Sequence, residues 1–169
     1  MSPAPGRTQR ASPTRAARAD VRLELQRRVR SWSPSRRDIA HWASTALGRA
    51  ARGRELGVCM VGAAESARLN AQFRGRDQPT NVLSFPAAPL PQARGALQPL
   101  GELIICPGVL RAEALAQDKT LRAHWAHLVV HGALHLVGYD HQRTADARRM
   151  ERREIAVLRR LGFANPYRS

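Results

Sequence analysis

The 169-residue sequence is short of lysine, of acidic residues and of long apolar runs. Lys119 is its only lysine, so arginine carries nearly all the positive charge. Only 13 Asp and Glu face 28 Lys and Arg, leaving a formal charge of +15. Residues 1–37 carry +8 of this and the remainder still carries +7, so a basic tail alone does not account for it. Such a surface attracts polyanions, and guanidinium forks match phosphate geometry, although charge by itself names no partner. No apolar run approaches the ~20 residues that span a bilayer. None follows the N-terminal arginines as a secretory signal requires. The expectation is a cytoplasmic protein with no membrane partner. Cysteine is scarce as well: Cys59 and Cys106 each lie in an apolar run without a CxxC neighbour, and are expected as buried thiols in a reducing compartment. No internal repeat is present.

The length fits one domain with a sizeable core, over residues 20–169. Residues 1–19 are rich in Arg, Ala, Ser and Pro, without acid or apolar periodicity, and read as a disordered tail. An organelle presequence is disfavoured because Pro3, Pro5 and Pro13 interrupt an amphipathic helix. Strand patterns occur at 21–25, 56–61, 82–85 and 100–106. Helices are expected from Ser33-Pro34-Ser35 to Gly48 or Gly53, over 64–73, and at about 108–117, 119–137 and 143–161. Between them, Arg74 to Asn81 reads as a loop, as do residues 86–99. Strands alternating with helices before a helical C-terminal half suggest a small α/β or α+β sandwich.

Five of the six histidines fall within residues 124–141. His131 and His135 are four apart on an expected helix, which sets them on one face about 6 Å apart along the axis. Gly138 can then leave the helix with φ > 0 and turn His141 back toward them. Three protein ligands with an open fourth position is the catalytic zinc pattern rather than the closed structural one. Core histidines on an apolar helix are the plainer alternative, and three at this spacing with a turn glycine weigh against it. His124 and His127 lack a third partner at ligand spacing and are expected on the helix surface or supporting a ligand. The spacing is that of metzincin proteases, but the zincin motif has Glu after its first His as general base, and here that residue is Gly132. A peptidase of that type is therefore disfavoured. Close approach by substrate or by another helix would explain a mid-helix glycine.

The run His131-Gly132-Ala133-Leu134-His135-Leu136-Val137-Gly138-Tyr139-Asp140-His141 resembles the signature of the YbeY family of rRNA-maturation endoribonucleases. Phe73-Arg74-Gly75-Arg76-Asp77-Gln78-Pro79-Thr80-Asn81-Val82-Leu83-Ser84-Phe85-Pro86 and Leu100-Gly101-Glu102-Leu103-Ile104-Ile105 agree with it, and the resemblance covers roughly residues 21–165. It implies an α+β, zincin-like fold, a small mixed sheet flanked by helices with the metal site on a central helix, and one Zn2+ per chain held by His131, His135 and His141. It further implies single-strand-specific RNA cleavage, 16S rRNA 3′-end maturation, ribosome quality control, and RNA and ribosomal particles as partners. Arg74 matches the family's functionally important arginine. A guanidinium there can hold a phosphate bidentately and stabilise its developing charge. The proton acceptor stays open, between direct attack by metal-activated water and attack by the substrate 2′-hydroxyl. Asp140 either supports a ligand histidine or caps the following helix. Ser84 is in no GxSxG elbow and reads as strand. Hydrolysis of a small molecule or peptide, or an assembly factor that mainly binds RNA, are the alternatives.

Overall fold

The computed structural model describes residues 20–91 and 95–168; the expected tail at 1–19 lies outside them. Strands β1 (Arg22–Arg27), β2 (Arg54–Met60), β3 (Val82–Pro86) and β4 (Gln98–Ile105) form one sheet in the order β1-β2-β4-β3. The first three in that order are parallel, and β3 is antiparallel to β4. Among the described residues five α-helices accompany it: α1 (Arg36–Leu47), α2 (Ala63–Arg74), α3 (Pro107–Ala116), α4 (Leu121–Leu136) and α5 (Thr144–Arg160). The fold is the expected α+β arrangement with α4 at its centre.

The helix boundaries follow from side-chain chemistry. Ser35 caps α1 by accepting from the Asp38 N–H, and the helix stops at Leu47, where Gly48 takes φ 57° and a short 3-10 turn follows. Thr120 caps α4 through the Ala123 N–H. Alternation along the strands sends Leu56, Val58 and Met60 of β2, with Leu103 and Ile105 of β4, into one core against α1 and α4. Ser84 lies on this side, close to α4, so its neighbour Phe85 points to the opposite face. There Phe73 of α2 meets it edge-on at 4.8 Å. Because α4 packs against the sheet, α1, α3 and α5, Trp125, Ala126, Val129, Val130 and Ala133 are all fully buried. A helix apolar all round is what such a position requires. Arg122 clamps α4 to α1 by donating to both carboxylate oxygens of Asp38, which hold the Asp38 carboxyl down at about 2.

Two differences from the sequence reading bear on the site. Strand β4 begins at Gln98, two residues earlier than expected, because Pro99 sits near its start, where a missing N–H is tolerated. The pairing then steps from Glu55↔Pro99 to Leu56↔Gly101, leaving Leu100 as an extra residue. In addition, Arg74 is not in the loop: it is the last residue of α2, with Gly75 as the left-handed cap at φ 68°.

Candidate metal centre

Helix α4 carries His131 and His135 one turn apart, and its end is built to return His141. Gly138 takes φ 91°. Its N–H bonds the His135 carbonyl at 3.1 Å, and the Tyr139 N–H bonds Leu134 at 3.1 Å. Together these form a Schellman close, which reverses the chain directly after the second histidine. The three rings converge, with centroids 4.7, 5.6 and 4.8 Å apart, and one nitrogen from each lies within 4.8 Å of the others. Three imidazole donors at this separation, with no carboxylate among them, suit one zinc-class ion that keeps an open position.

Electrostatics favours the ligating form. Burial pushes the His135 imidazole down to about 4, and the charges of His131 and His141 push the same way. The free base is therefore present at neutral pH. Its loss on acidification makes a prediction about the metal-free protein. A histidine whose folded pKa is depressed contributes full stability above its unfolded pKa near 6.5 and loses it as pH falls toward about 4. His124, lowered mainly by burial, adds in the same direction. Asp38 and Glu154, held at about 2 in the fold, add to the decline only at its acid end, where the unfolded carboxyls begin to protonate. Thermal melts of chelator-treated protein should show a decline between pH 6.5 and 4, of order 1–3 kcal/mol. A melting temperature unchanged over that range would contradict this placement of His135.

Sequence reasoning missed Glu154. It lies on α5, 23 positions from His131 and fully buried, and its Oε1 is 2.5 Å from His131 Nδ1. Burial alone would raise this carboxyl. Hydrogen bonds from His127, His131 and Tyr167, with the His131 charge, outweigh burial and hold it at about 2. An ionised Glu154 fixes the proton of His131 on Nδ1, leaving Nε2 to face the other two histidines. The only sequence signal was a lone carboxylate among the apolar positions Met150, Val157 and Leu158 on the inner face of α5. Tyr167, near the chain end, donates its hydroxyl to the other Glu154 oxygen.

His127 and His124 take different places. His127 Nε2 lies 3.5 Å from Glu154 Oε2, a supporting contact to the same carboxylate. His124 is not on the surface. It is buried and bonds Glu113 at 2.7 Å, and Glu113 in turn accepts from Asn81 at 3.0 and 3.1 Å. Asp140 makes no hydrogen bond to a ligand ring and does not cap α5, although its charge acts on the His135 imidazole. Its carboxylate accepts from the His141 N–H at 2.7 Å and the Gln142 N–H at 3.3 Å, stiffening the turn, while Arg143 stands at the α5 N-cap.

Gly132 is explained by the sheet rather than by substrate or another helix. A Cβ there would lie 2.8 Å from Leu103 Cδ2 and 3.3 Å from Ser84 Oγ. The position that bears the general base in zincin proteases is therefore pressed against β3 and β4, with no room for a carboxylate. The Arg74 guanidinium makes no hydrogen bond or ion pair among the described residues, with neither Asp77 nor Glu102 as partner. Burial and the charge of Arg76 lower its pKa. Both cysteines are buried thiols.

A mixed sheet backing a helix that carries two histidines, with a third delivered by a turn, is a zincin-like arrangement whose three imidazoles could hold a metal ion; His127, His131 and Glu154 form a second such group beside it. The chain belongs to the YbeY endoribonuclease family, hydrolases of phosphodiester bonds: the family model described as Endoribonuclease YbeY matches residues 24–162. The fold is similar to the solution structure of TM1509 from Thermotoga maritima. That match has a TM-score of 0.52 and 22% identity, and covers 88% of this chain and 99% of the other.

Proposed function

We propose that this protein is a zinc-dependent, single-strand-specific endoribonuclease of the cytoplasm, acting on ribosomal particles in 16S rRNA 3′-end maturation and ribosome quality control. The observation that carries the reading is the convergence of His131, His135 and His141, one of them oriented by the buried Glu154, in a chain of this family. These three would hold one zinc ion, which when bound supplies Lewis-acid polarisation of a phosphoryl oxygen and acidifies water. The chain's own residues do the rest. Glu154 holds the His131 ring in place through its Nδ1. The Asp140 turn fixes the approach of His141. Arg74, without an acidic partner, is free to grip a phosphate with two parallel N–H donors. With no carboxylate at position 132, proton transfer from the nucleophile falls to the substrate and solvent rather than to a glutamate base.

The test compares zinc-loaded and chelator-stripped protein on one RNA sequence, single-stranded and as a duplex, with an Arg74→Lys variant alongside. Cleavage should require both zinc and the single strand. Arg74→Lys retains the charge but loses the fork, and should reduce turnover on the order of 10²-fold while zinc content and melting temperature hold. Arg76→Lys should be much milder. Cleavage that survives chelation, or proceeds equally on the duplex, would refute the reading. Loss of metal in Arg74→Lys would make that arginine structural.

A further inference from the structure

The end of the chain closes a cavity beside the metal centre. After α5, residues 161–168 turn back onto the start of α4 and are pinned at several points. The Phe163 N–H bonds Leu158 at 2.9 Å, and its ring meets Trp42 edge-on at 5.7 Å. Lys119 Nζ donates to the Pro166 carbonyl at 2.6 Å, and the Tyr167 hydroxyl reaches Glu154. Between this segment and residues 117–127 lies a cavity of about 720 Å³, lined among others by Phe163, Tyr167, Asn165, Thr120 and Gln117. A second cavity of about 380 Å³ adjoins it, sharing His124, His127, Lys119 and Tyr167, and extends to His131 and Asn81. A volume of this size, walled by fixed side chains, is what a small-molecule moiety needs.

We propose that this double cavity is a nucleobase subsite, which takes an unpaired base adjoining the scissile phosphate and stacks it on the Tyr167 ring. The inference rests on the RNA-cleaving reading above. The lining matches a base in kind: aromatic and apolar surface from Phe163, Pro166 and Tyr167, with amide and hydroxyl groups from Gln117, Asn165 and Thr120. Tyr167 is 46% exposed, with His127 against its ring at 5.4 Å, so part of the ring remains available for stacking. Lys119 and Arg168 set a positive rim against the single acid Asp118, and Glu113 is already engaged by Asn81 and His124. His127 precedes His131 by one turn of α4, about 6 Å, a span that one sugar-phosphate unit bridges. A base can enter only when unstacked and unpaired, so the subsite gives a physical cause for single-strand selectivity.

Single-stranded RNA oligonucleotides carrying one abasic residue, moved a position at a time along the strand, test this by anisotropy with metal-free protein, so that the RNA stays intact. One or two adjacent positions should lose affinity by about 10-fold, the rest less than about twofold. Ala123→Trp, which fills the cavity from α4, should show the same loss with intact RNA and no sensitivity to the abasic position, at unchanged zinc content and melting temperature. Ala164→Trp fills it from the opposite wall should the first variant fold poorly. A flat scan, or equal loss at every position, overturns the subsite. A position-specific scan from a protein that fails to cleave any RNA when zinc-loaded upholds the subsite and refutes the hydrolytic reading instead.

Discussion

Replacing His131, His135 or His141 by alanine is expected to empty the metal centre and bring RNA cleavage to background. Each supplies one of three imidazole donors within 4.8 Å of one another, and the neighbouring Glu154 and His127 group with His131 but not with His135 or His141. The loss should exceed the ~10²–10³-fold typical of deleting one preorganised donor, because the ion itself goes. Supporting residues should grade below this. Glu154→Gln removes the carboxylate that orients His131 and should weaken zinc affinity about 10–100-fold. His127→Ala loses only the 3.5 Å contact to the same carboxylate and should keep stoichiometric metal. His124→Ala should also keep it, since that ring is committed to Glu113. Elemental analysis with chelator competition checks the series, and equal loss across all five histidines would remove the ligand assignment.

Gly101→Ala should be the most damaging single substitution away from the metal. Gly101 takes φ 141°, and an added Cβ would lie 2.2 Å from the Phe85 carbonyl oxygen and 2.9 Å from Leu136 Cδ2. The first clash is with backbone of the neighbouring strand, which cannot rotate away. Backbone strain of about 1–3 kcal/mol adds to overpacking of similar size. A total near 4 kcal/mol is a large share of the ~5–15 kcal/mol that holds a domain folded. Urea unfolding should show a much lower midpoint, or the protein should fail to accumulate in soluble form. Gly108→Ala, within α3 and with nothing within 4 Å, is the control and should be neutral or slightly stabilising. A wild-type midpoint for Gly101→Ala would mean that the step between β2 and β4 is misplaced.

How far the sequence reaches depends on how local each interaction is. The α1 start at Ser35, the α2 stop at Gly75 and the reversal at Gly138 came from one or two residues bonding their own neighbourhood. The convergence of His131, His135 and His141 followed likewise from helical pitch and one turn. Arg74 was misplaced by a single residue, because a helix can run up to its capping glycine through a segment whose composition looks like loop.

By itself, then, the sequence determined the order of strands and helices, the apolar central helix and the three-histidine cluster, since periodicity and turn chemistry act over a few residues. Only the tertiary structure decided that Glu154 orients His131, that Tyr167 holds Glu154, that His124 is buried against Glu113, and that Gly132 makes room for Leu103 and Ser84. Each of these contacts joins different elements, and the α4–α5 and α4–sheet packing that creates them is set by the whole core rather than by any pattern along one segment.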